Sequence, residues 1–436
     1  MSPVAAPAAH RVFLFLQGPS SSLFYKIAAH LEAAGHTCLR VNLNAGDWLF
    51  WRRRGGLNYH GRFSDWPVYI EGLLISRHVT DLLLLGEERP YHRVAVDLAK
   101  AHGIAVTVIE MGYLRPDWIT VERDGMSSNS RFPNDPEQIR SAAASLATPS
   151  MEPVYKQSFL MEALLDLSYN IPNVFLKPLF PRYRRHALFH PLVEYAGWIM
   201  RLSNSRRNLK KANATINALI ISGQPFFVYP LQLETDYQLR SHSPYCRQAE
   251  AIEEILRSFA EHSSPDTALV VKLHPLDNGL IDWQRDIESL VGFLGLEGRV
   301  YFVDGGDLNV LTRRCRGMVT VNSTAVLPGL RFGVPAKVLG CAIYDVLGMT
   351  HQGNLDTFWM APERPDDVLT ASFFKLLAHA IHVRGNFYSR VGTNAGAYAI
   401  AQKLLLNAVN APGADCEVPP REKPYKKFTQ RNETCA

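Results

Sequence analysis

The sequence predicts an α/β protein of two units, each built on a parallel sheet, with a helical segment between them. Three observations carry this. Short, continuously apolar runs alternate with helical stretches, the pattern of strands buried on both faces of a parallel sheet. The alternation comes in two series, one before about residue 120 and one after about residue 225, separated by a helical and basic stretch. The runs end abruptly in polar residues, and the carboxyl ends of parallel strands are where open sheets of this kind bind ligands.

The first series starts after an Ala/Pro-rich segment, residues 1–10, read as a flexible N-terminus. The run Val12–Leu16 ends in Gln17-Gly18-Pro19, and Ser20-Ser21-Ser22 supplies caps for a helix that Gly35 stops near Ala34. Thr37–Leu43 ends in Asn44-Ala45-Gly46-Asp47, and Asp81–Leu85 ends in Gly86. A helix over about Tyr91–His102 leads to Ala105–Ile109, which ends in Glu110-Met111-Gly112. The pattern lapses after Ile119, and residues 124–155, rich in Ser, Asn, Pro and Asp, read as a long loop. From Phe159 to Lys211 the chain reads as helical and basic, with Arg182, Arg184, Arg185, Arg201, Arg206, Arg207, Lys210 and Lys211.

The second series has strands at Phe226–Gln232, Ala268–Leu273, Val300–Val303, Met318–Val321 and Ala336–Leu339, with a helix near Gln248–His262. A helical stretch over about Asp367–Asn407 and a polar, basic tail from Ala411 close the chain. The expected division is therefore 11–211 for the first unit, including a helical basic segment 156–211. The second unit is 212–365, followed by terminal helices 366–410 and the tail 411–436.

Composition narrows the function. The chain has 436 residues, 47% apolar and 20% charged, enough for two buried cores. The formal charge of +5 is too small for a dedicated nucleic-acid binder. It suits anionic substrates or an anionic membrane surface. No apolar run approaches the roughly 18 residues of a membrane span, and no basic region precedes the first apolar run as in a signal peptide. The six scattered cysteines form no C-x-x-C pair and are expected to be cytosolic thiols. Phosphate-loop, dinucleotide, zinc-protease and nucleophile-elbow motifs are missing. So is any D-x-D carboxylate pair, which leaves metal-independent group transfer as a candidate class.

Five strand-end segments can carry chemistry. In Pro230–Gln238 an apolar strand runs into Gln232, Glu234, Asp236 and Gln238. Either carboxylate fits a nucleophile or general base, and either equally fits a helix cap. In Lys272-Leu273-His274-Pro275, His274 and Lys272 suit a phosphate contact or proton donor, or a satisfied surface residue. Asn322-Ser323-Thr324 suits an anion site at a helix start or ordinary capping. Glu110 with Arg115 fits an acid/base and an anion clamp, or a salt-bridged turn. Arg89 and His92 fit substrate binding, or bracing of their own loop.

Together these segments resemble the capsule polysaccharide synthesis family. The matching pieces are FLQGP at Phe15–Pro19, NAGD at Asn44–Asp47, GEERPYH at Gly86–His92 and EMGYLRPDWITVE at Glu110–Glu122. Further on come FPRYRRH at Phe180–His186, LQLETDYQLRSHS at Leu231–Ser243, KLHPLD at Lys272–Asp277, VNSTAVLPGL at Val321–Leu330 and the stretch Cys341–Trp359. The resemblance implies a GT-B-like fold, two Rossmann-like domains facing across a cleft. It implies a retaining β-Kdo glycosyltransferase that uses CMP-Kdo, without metal or other cofactor, to start a linker on a lyso-phosphatidylglycerol-type lipid acceptor at the inner face of the cytoplasmic membrane. Other capsule biosynthesis and export proteins are the implied partners. Competing readings are a non-catalytic export adaptor and a transferase of another CMP-activated nonulosonic acid.

By the resemblance, Asp236 is the nucleophile, Glu110 the acid/base and His274 the contact to the donor phosphate. Gln232, Gln238, Lys272, Asn322, Ser323, Thr324 and Arg115 bind the donor, and Gln17, Asn44, Arg89 and His92 are candidate substrate contacts. Three positions depart from the family pattern: Met111 replaces a second acidic residue, and Val326 and Pro328 replace the usual Gly and Ser. The basic cluster 182–211 and Arg421, Lys423, Lys426, Lys427 and Arg431 of the tail are the expected lipid contacts.

Overall fold

The computed structural model describes residues 10–156, 158–185 and 188–427. Most of the expected flexible segment 1–10, and Arg431 with the end of the tail, lie outside them.

In chain order the elements begin β1 (Val12–Phe15), α1 (Leu23–Ala33), β2 (Thr37–Asn42), α2 (Ala45–Trp51), β3 (Gly56–Asn58), α3 (Trp66–Ser76), β4 (Asp81–Leu85) and α4 (Pro90–Ala101). There follow β5 (Ala105–Met111), β6 (Trp118–Arg123), α5 (Pro136–Ala143), α6 (Phe159–Phe175) and α7 (Pro191–Ser222). Then come β7 (Phe226–Pro230), α8 (Tyr237–Ser241), α9 (Gln248–His262), β8 (Ala268–Lys272), α10 (Trp283–Leu294), β9 (Val300–Val303) and α11 (Leu308–Thr312). The chain ends with β10 (Gly317–Thr320), α12 (Leu327–Arg331), β11 (Ala336–Val338), α13 (Leu355–Phe358), α14 (Asp367–Ala380), β12 (His382–Arg384) and α15 (Arg390–Leu405).

The chain forms two compact units. Unit 1 comprises residues 1–126, 149–186 and 377–415, and unit 2 residues 127–148, 187–376 and 416–436.

Unit 1 holds a seven-stranded sheet of order β12-β6-β5-β4-β1-β2-β3. Strands β1 to β5 run parallel, and one edge is extended by two antiparallel pairings, β5 with β6 and β6 with β12. The continuous run of β4, Asp-Leu-Leu-Leu-Leu, is buried throughout, as a central strand covered on both faces requires. Residues 377–415 belong here because β12 pairs with β6 and because Ala397, Ile400, Ala401 and Leu404 of α15 pack with Phe13, Phe24 and Leu31. The stretch expected to be helical from 367 to 407 is thus two helices around an edge strand.

Unit 2 holds an all-parallel sheet of order β11-β10-β7-β8-β9. Strands β7 and β8 are buried at every position. Helix α9 turns Ala251, Ile252, Ile255, Leu256 and Phe259 onto the sheet at helical spacing and joins Val271, Val319 and Trp359 in the core. Helix α7 continues to Ser222, past the expected boundary at 211, and ends where Gly223 takes a left-handed conformation at φ +70°. Residues 127–148 carry α5 and pack on unit 2: Phe132 meets Phe373 edge-on at 5.3 Å, and Ser128 Oγ lies 2.8 Å from His242 Nδ1.

From Cys416 on, the described part of the tail is fastened to unit 2. Arg421 donates to the carbonyls of Phe132, Pro133 and Ile343, and Lys427 pairs with Glu254 at 2.8 Å. Lys426 donates to the carbonyls of Arg240, Ser243 and Tyr245. Arg421, Lys426 and Lys427, expected lipid contacts, thus have local backbone and carboxylate partners within unit 2. Cys38, Cys315, Cys341 and Cys416 are thiols as expected, but Cys246 is disulfide-bonded. No helix among the described residues is long and apolar enough to cross a membrane.

Candidate functional site

In unit 2, three neighbouring strands bring predicted residues to one sheet edge. Strand β7 pairs with β8 on one side and β10 on the other, all parallel. Their carboxyl ends therefore carry Gln232 to Gln238, Lys272 to His274 and Asn322 to Thr324 along a common edge.

Two of these residues form the brace beneath the rest. Gln232 and Asn322, both buried, exchange reciprocal hydrogen bonds: Gln232 Nε2 donates to Asn322 Oδ1 at 2.8 Å, and Asn322 N–H donates to Gln232 Oε1 at 3.1 Å. Asn322 Nδ2 also donates to the carbonyls of Gln238 and His242. This ties the loop after β7 to the loop after β10. Buried amides joined so completely are positioning groups.

Asp236 is partly exposed and caps α8, its carboxylate accepting from the Gln238 N–H at 2.9 Å. The cap fixes one carboxylate oxygen against backbone. Glu234, the other carboxylate of this segment, accepts from the Gln248 N–H at 2.8 Å and so is tied to the start of α9. Burial raises its pKa. Gln238 accepts from the Ser127 hydroxyl.

His274 is partly exposed just beyond β8. Its Nδ1 lies 3.0 Å from the Leu276 N–H, which can only donate, so in the neutral ring the proton sits on Nε2. Its carbonyl accepts from Arg201 Nη2 at 3.2 Å. Arg201 also pairs with Asp304 at 3.0 Å. A cavity of about 300 Å³ opens beside it, lined by Arg201, Asn208, Leu273, Asp277, Trp283 and Asp304 among others. Lys272 is buried, and burial lowers its pKa against the opposing charge of Asp304.

Ser323 and Thr324 are partly exposed at the end of β10. Ser323 Oγ accepts from the Ala325 N–H at 3.2 Å as the cap of a short 3₁₀ turn, and its carbonyl accepts from the buried Tyr344 hydroxyl at 2.6 Å.

Unit 1 treats its strand ends differently. Gln17 and Asn44 are buried in a closed network around Asp47. Asp47 receives Arg40 Nη2 at 2.9 Å, Gln17 Nε2 at 3.1 Å, the Leu43 N–H at 3.1 Å and the Tyr169 hydroxyl at 2.9 Å. Asn44 caps α2 by accepting from the Asp47 N–H and donates to the Tyr169 hydroxyl at 3.2 Å. The Tyr183 hydroxyl lies 3.2 Å from Gln17 Nε2, and burial pushes this phenol up to about 12. Asp47, Arg40, Tyr169 and Tyr183 were not assigned from sequence. Asp47 and Tyr183 stood inside quoted motifs, but Tyr169 has no local signal at all, being one tyrosine on an apolar helix.

His92 is fully buried, and its Nδ1–H donates to the Gly86 carbonyl at 2.7 Å. Burial holds the ring at about 3, so it is neutral, and it braces the turn after β4. That is the bracing role, in place of an exposed substrate contact. Arg89 is partly exposed at the start of α4.

Glu110 is partly exposed near the end of β5, and its carboxylate accepts from the Met111 N–H at 3.0 Å. Gly86, at φ +63°, leaves room for it: a Cβ there would lie 3.3 Å from Glu110 Oε2. Burial raises the pKa of Glu162 on α6, and exposed Arg115 opposes that shift. Burial likewise raises Tyr388, with added contributions from Glu162, Asp166 and Glu110. These acidic groups thus share one part of unit 1.

The comparisons with known proteins agree with the motifs. A family model described as "Capsule polysaccharide biosynthesis protein" matches residues 80–388. The capsule polysaccharide export protein KpsS of Escherichia coli is 33% identical over 86% of this chain and 96% of its own length. The capsule polysaccharide modification protein LipB of Neisseria meningitidis serogroup B is 32% identical over 87% of this chain and 92% of its own. Among solved structures, the KpsC β-Kdo 2,7 transferase of Thermosulfurimonas dismutans aligns over 91% of this chain and 99% of its own, at 15% identity and a TM-score of 0.46.

Proposed function

This chain belongs to the capsule polysaccharide biosynthesis family, and from that premise we propose that it is a retaining β-Kdo glycosyltransferase. It transfers Kdo from CMP-Kdo to a lyso-phosphatidylglycerol-type lipid and so starts the linker of a capsular polysaccharide. The observation that carries the reading is the edge of unit 2, where adjacent strands β10, β7 and β8 present hydroxyls, a carboxylate and an imidazole on a braced frame.

In the proposed reaction, a carboxylate oxygen of Asp236 attacks the anomeric carbon of Kdo as the bond to the CMP phosphate breaks. CMP leaves with the electron pair, and a Kdo–Asp236 ester forms. The leaving group is a stabilised phosphate, so what it needs is charge neutralisation. His274 Nε2–H and the Ser323 and Thr324 groups supply preorganised donors for it. In the second step a general base takes the proton of the acceptor hydroxyl, whose oxygen displaces Asp236. Two displacements at one carbon restore its configuration, as in retaining glycosidases.

Asp236→Asn tests this directly. Asparagine caps a helix as well as aspartate does, so the fold of α8 and the melting temperature are expected to stay unchanged. Transfer is expected to fall by at least about 10³-fold, because the amide is no nucleophile. Intact-mass measurement of the wild type with CMP-Kdo is expected to show a Kdo adduct that Asp236→Asn abolishes. Full activity in that variant would remove Asp236 from the mechanism.

A further inference from the structure

Helix α6 of unit 1 has no buried residue. Leu160, Leu164, Ile171 and Phe175 fall within a sector of about 60° around its axis, given 3.6 residues per turn. They are 68, 51, 39 and 72% exposed, and Met161, Leu176 and Leu179 are exposed as well. The opposite side of the helix is occupied. The Tyr169 hydroxyl donates to Asp47 at 2.9 Å, and Asn173 Oδ1 accepts from the Gly46 N–H at 2.8 Å. A Cβ at Gly46 would lie 2.7 Å from the Tyr169 ring, so α2 and α6 meet closely there. These bonds to α2 hold the helix in one rotational setting, with its apolar stripe outward. A contiguous apolar stripe held open marks an interaction surface.

The charges around the stripe select the partner. Lys156 precedes the helix, and Lys177 and Arg182 follow it. All three are exposed and make no hydrogen bond or ion pair among the described residues. A second copy of this chain docking symmetrically would set these cations against their own copies. An anionic bilayer satisfies both features: the apolar side chains enter the acyl boundary and the basic side chains reach up to the headgroups.

We propose that α6 is the membrane-surface element of this protein, lying in the plane of an anionic bilayer on its Leu160–Phe175 stripe. The assignment stands apart from the sugar-donor reading, since it rests on α6 alone. The tail cations Arg421, Lys426 and Lys427, already engaged within unit 2, are not needed for it.

Vesicle flotation of the full chain tests the proposal, with phosphatidylcholine vesicles with and without phosphatidylglycerol. The wild type is expected to float with the phosphatidylglycerol vesicles. The variant Leu160→Ser/Leu164→Ser/Ile171→Ser/Phe175→Ser is expected to lose at least ten-fold of the bound fraction at an unchanged melting temperature, since all four side chains are exposed. Lys177→Ala/Arg182→Ala is expected to lose the preference for phosphatidylglycerol. A CMP-Kdo thermal shift, measured on the same proteins, reads the donor proposal separately: its absence would remove the donor and leave the membrane assignment standing. Flotation of the four-serine variant at the wild-type level would overturn the assignment. So would a wild type that stays off vesicles and sediments as a dimer which the four-serine variant converts to monomer.

Discussion

Several strand ends of unit 1 and unit 2 look alike in sequence and differ in how far they are covered. In both, an apolar strand stops at Gln, Asn, Asp or His. In unit 1, Gln17, Asn44, Asp47 and His92 are buried and bonded largely to one another and to Arg40, Tyr169 and backbone. In unit 2, Gln232 and Asn322 take the buried bracing role, while Asp236, His274, Ser323 and Thr324 stay partly exposed. The difference shows that a polar strand end can plug a sheet edge or arm it. Which one results depends on whether other elements cover it, as α6 does over α2 and β1 through Tyr169.

The largest effect that sharpens this contrast is expected in unit 1. Asp47→Ala leaves Arg40, 1% exposed, as a buried charge without its carboxylate, and strips partners from Gln17 and Tyr169. Removing one member of a buried ion pair costs about 3–5 kcal/mol. A large drop in the melting temperature or denaturant midpoint is expected, in contrast to the near-silent stability of Asp236→Asn. An Asp47→Ala protein as stable as the wild type would break the comparison.

Acid is expected to act on unit 1 next. His92 and His382 are both fully buried, and burial moves each ring from 6.5 to about 3. His382 Nδ1–H donates to the Leu377 carbonyl at 2.8 Å, and its Nε2 accepts from the Tyr113 N–H at 2.9 Å, which fixes a neutral ring. Between pH 6.5 and 3 the unfolded chain binds protons that the folded chain refuses. Stability is therefore full above pH 6.5 and falls as the pH drops toward 3, by on the order of a few kcal/mol. Thermal unfolding across that range measures it. His382→Gln is expected to lower stability at pH 7 and to flatten the slope.

The smallest effect belongs to the armed edge of unit 2. Lys426 donates to the Ser243 carbonyl at 2.9 Å and the Tyr245 carbonyl at 2.7 Å, just after α8, and also to the Arg240 carbonyl within α8, the helix that Asp236 caps. Lys426→Ala is expected to cost about 1–2 kcal/mol. It should also raise amide exchange in residues 237–245 while leaving unit 1 unchanged. Equal exchange in both units would show that the tail does not hold this loop.

Much of the fold could be read without coordinates. Runs such as Leu82–Leu85 and Phe226–Tyr229 are legible because a strand buried on both faces must be apolar at every position. The short β3 and β12 were missed, since three residues carry no period, and β12 interrupts what reads as one helical stretch. Strand β6 is also not legible, because the pattern lapses after Ile119, where Glu122 and Arg123 break the apolar run. For the candidate site, motif order points to Asp236, His274 and Ser323 but does not separate these accessible groups from the buried Gln17 and His92, since residue type says nothing of cover.

By itself, then, the sequence determined the α/β class, the two sheets, the family and the strand ends that hold polar groups. These follow from periodicity and short motifs, which are local. Only the tertiary structure decided which of those groups are sealed and which remain accessible, that the basic tail is fastened to unit 2, and that α6 turns its apolar stripe outward. Each of these depends on partners far along the chain, such as Tyr169 for Asp47 and Lys426 for Tyr245. Burial and hydrogen bonding between distant residues leave no period or spacing in the sequence to read.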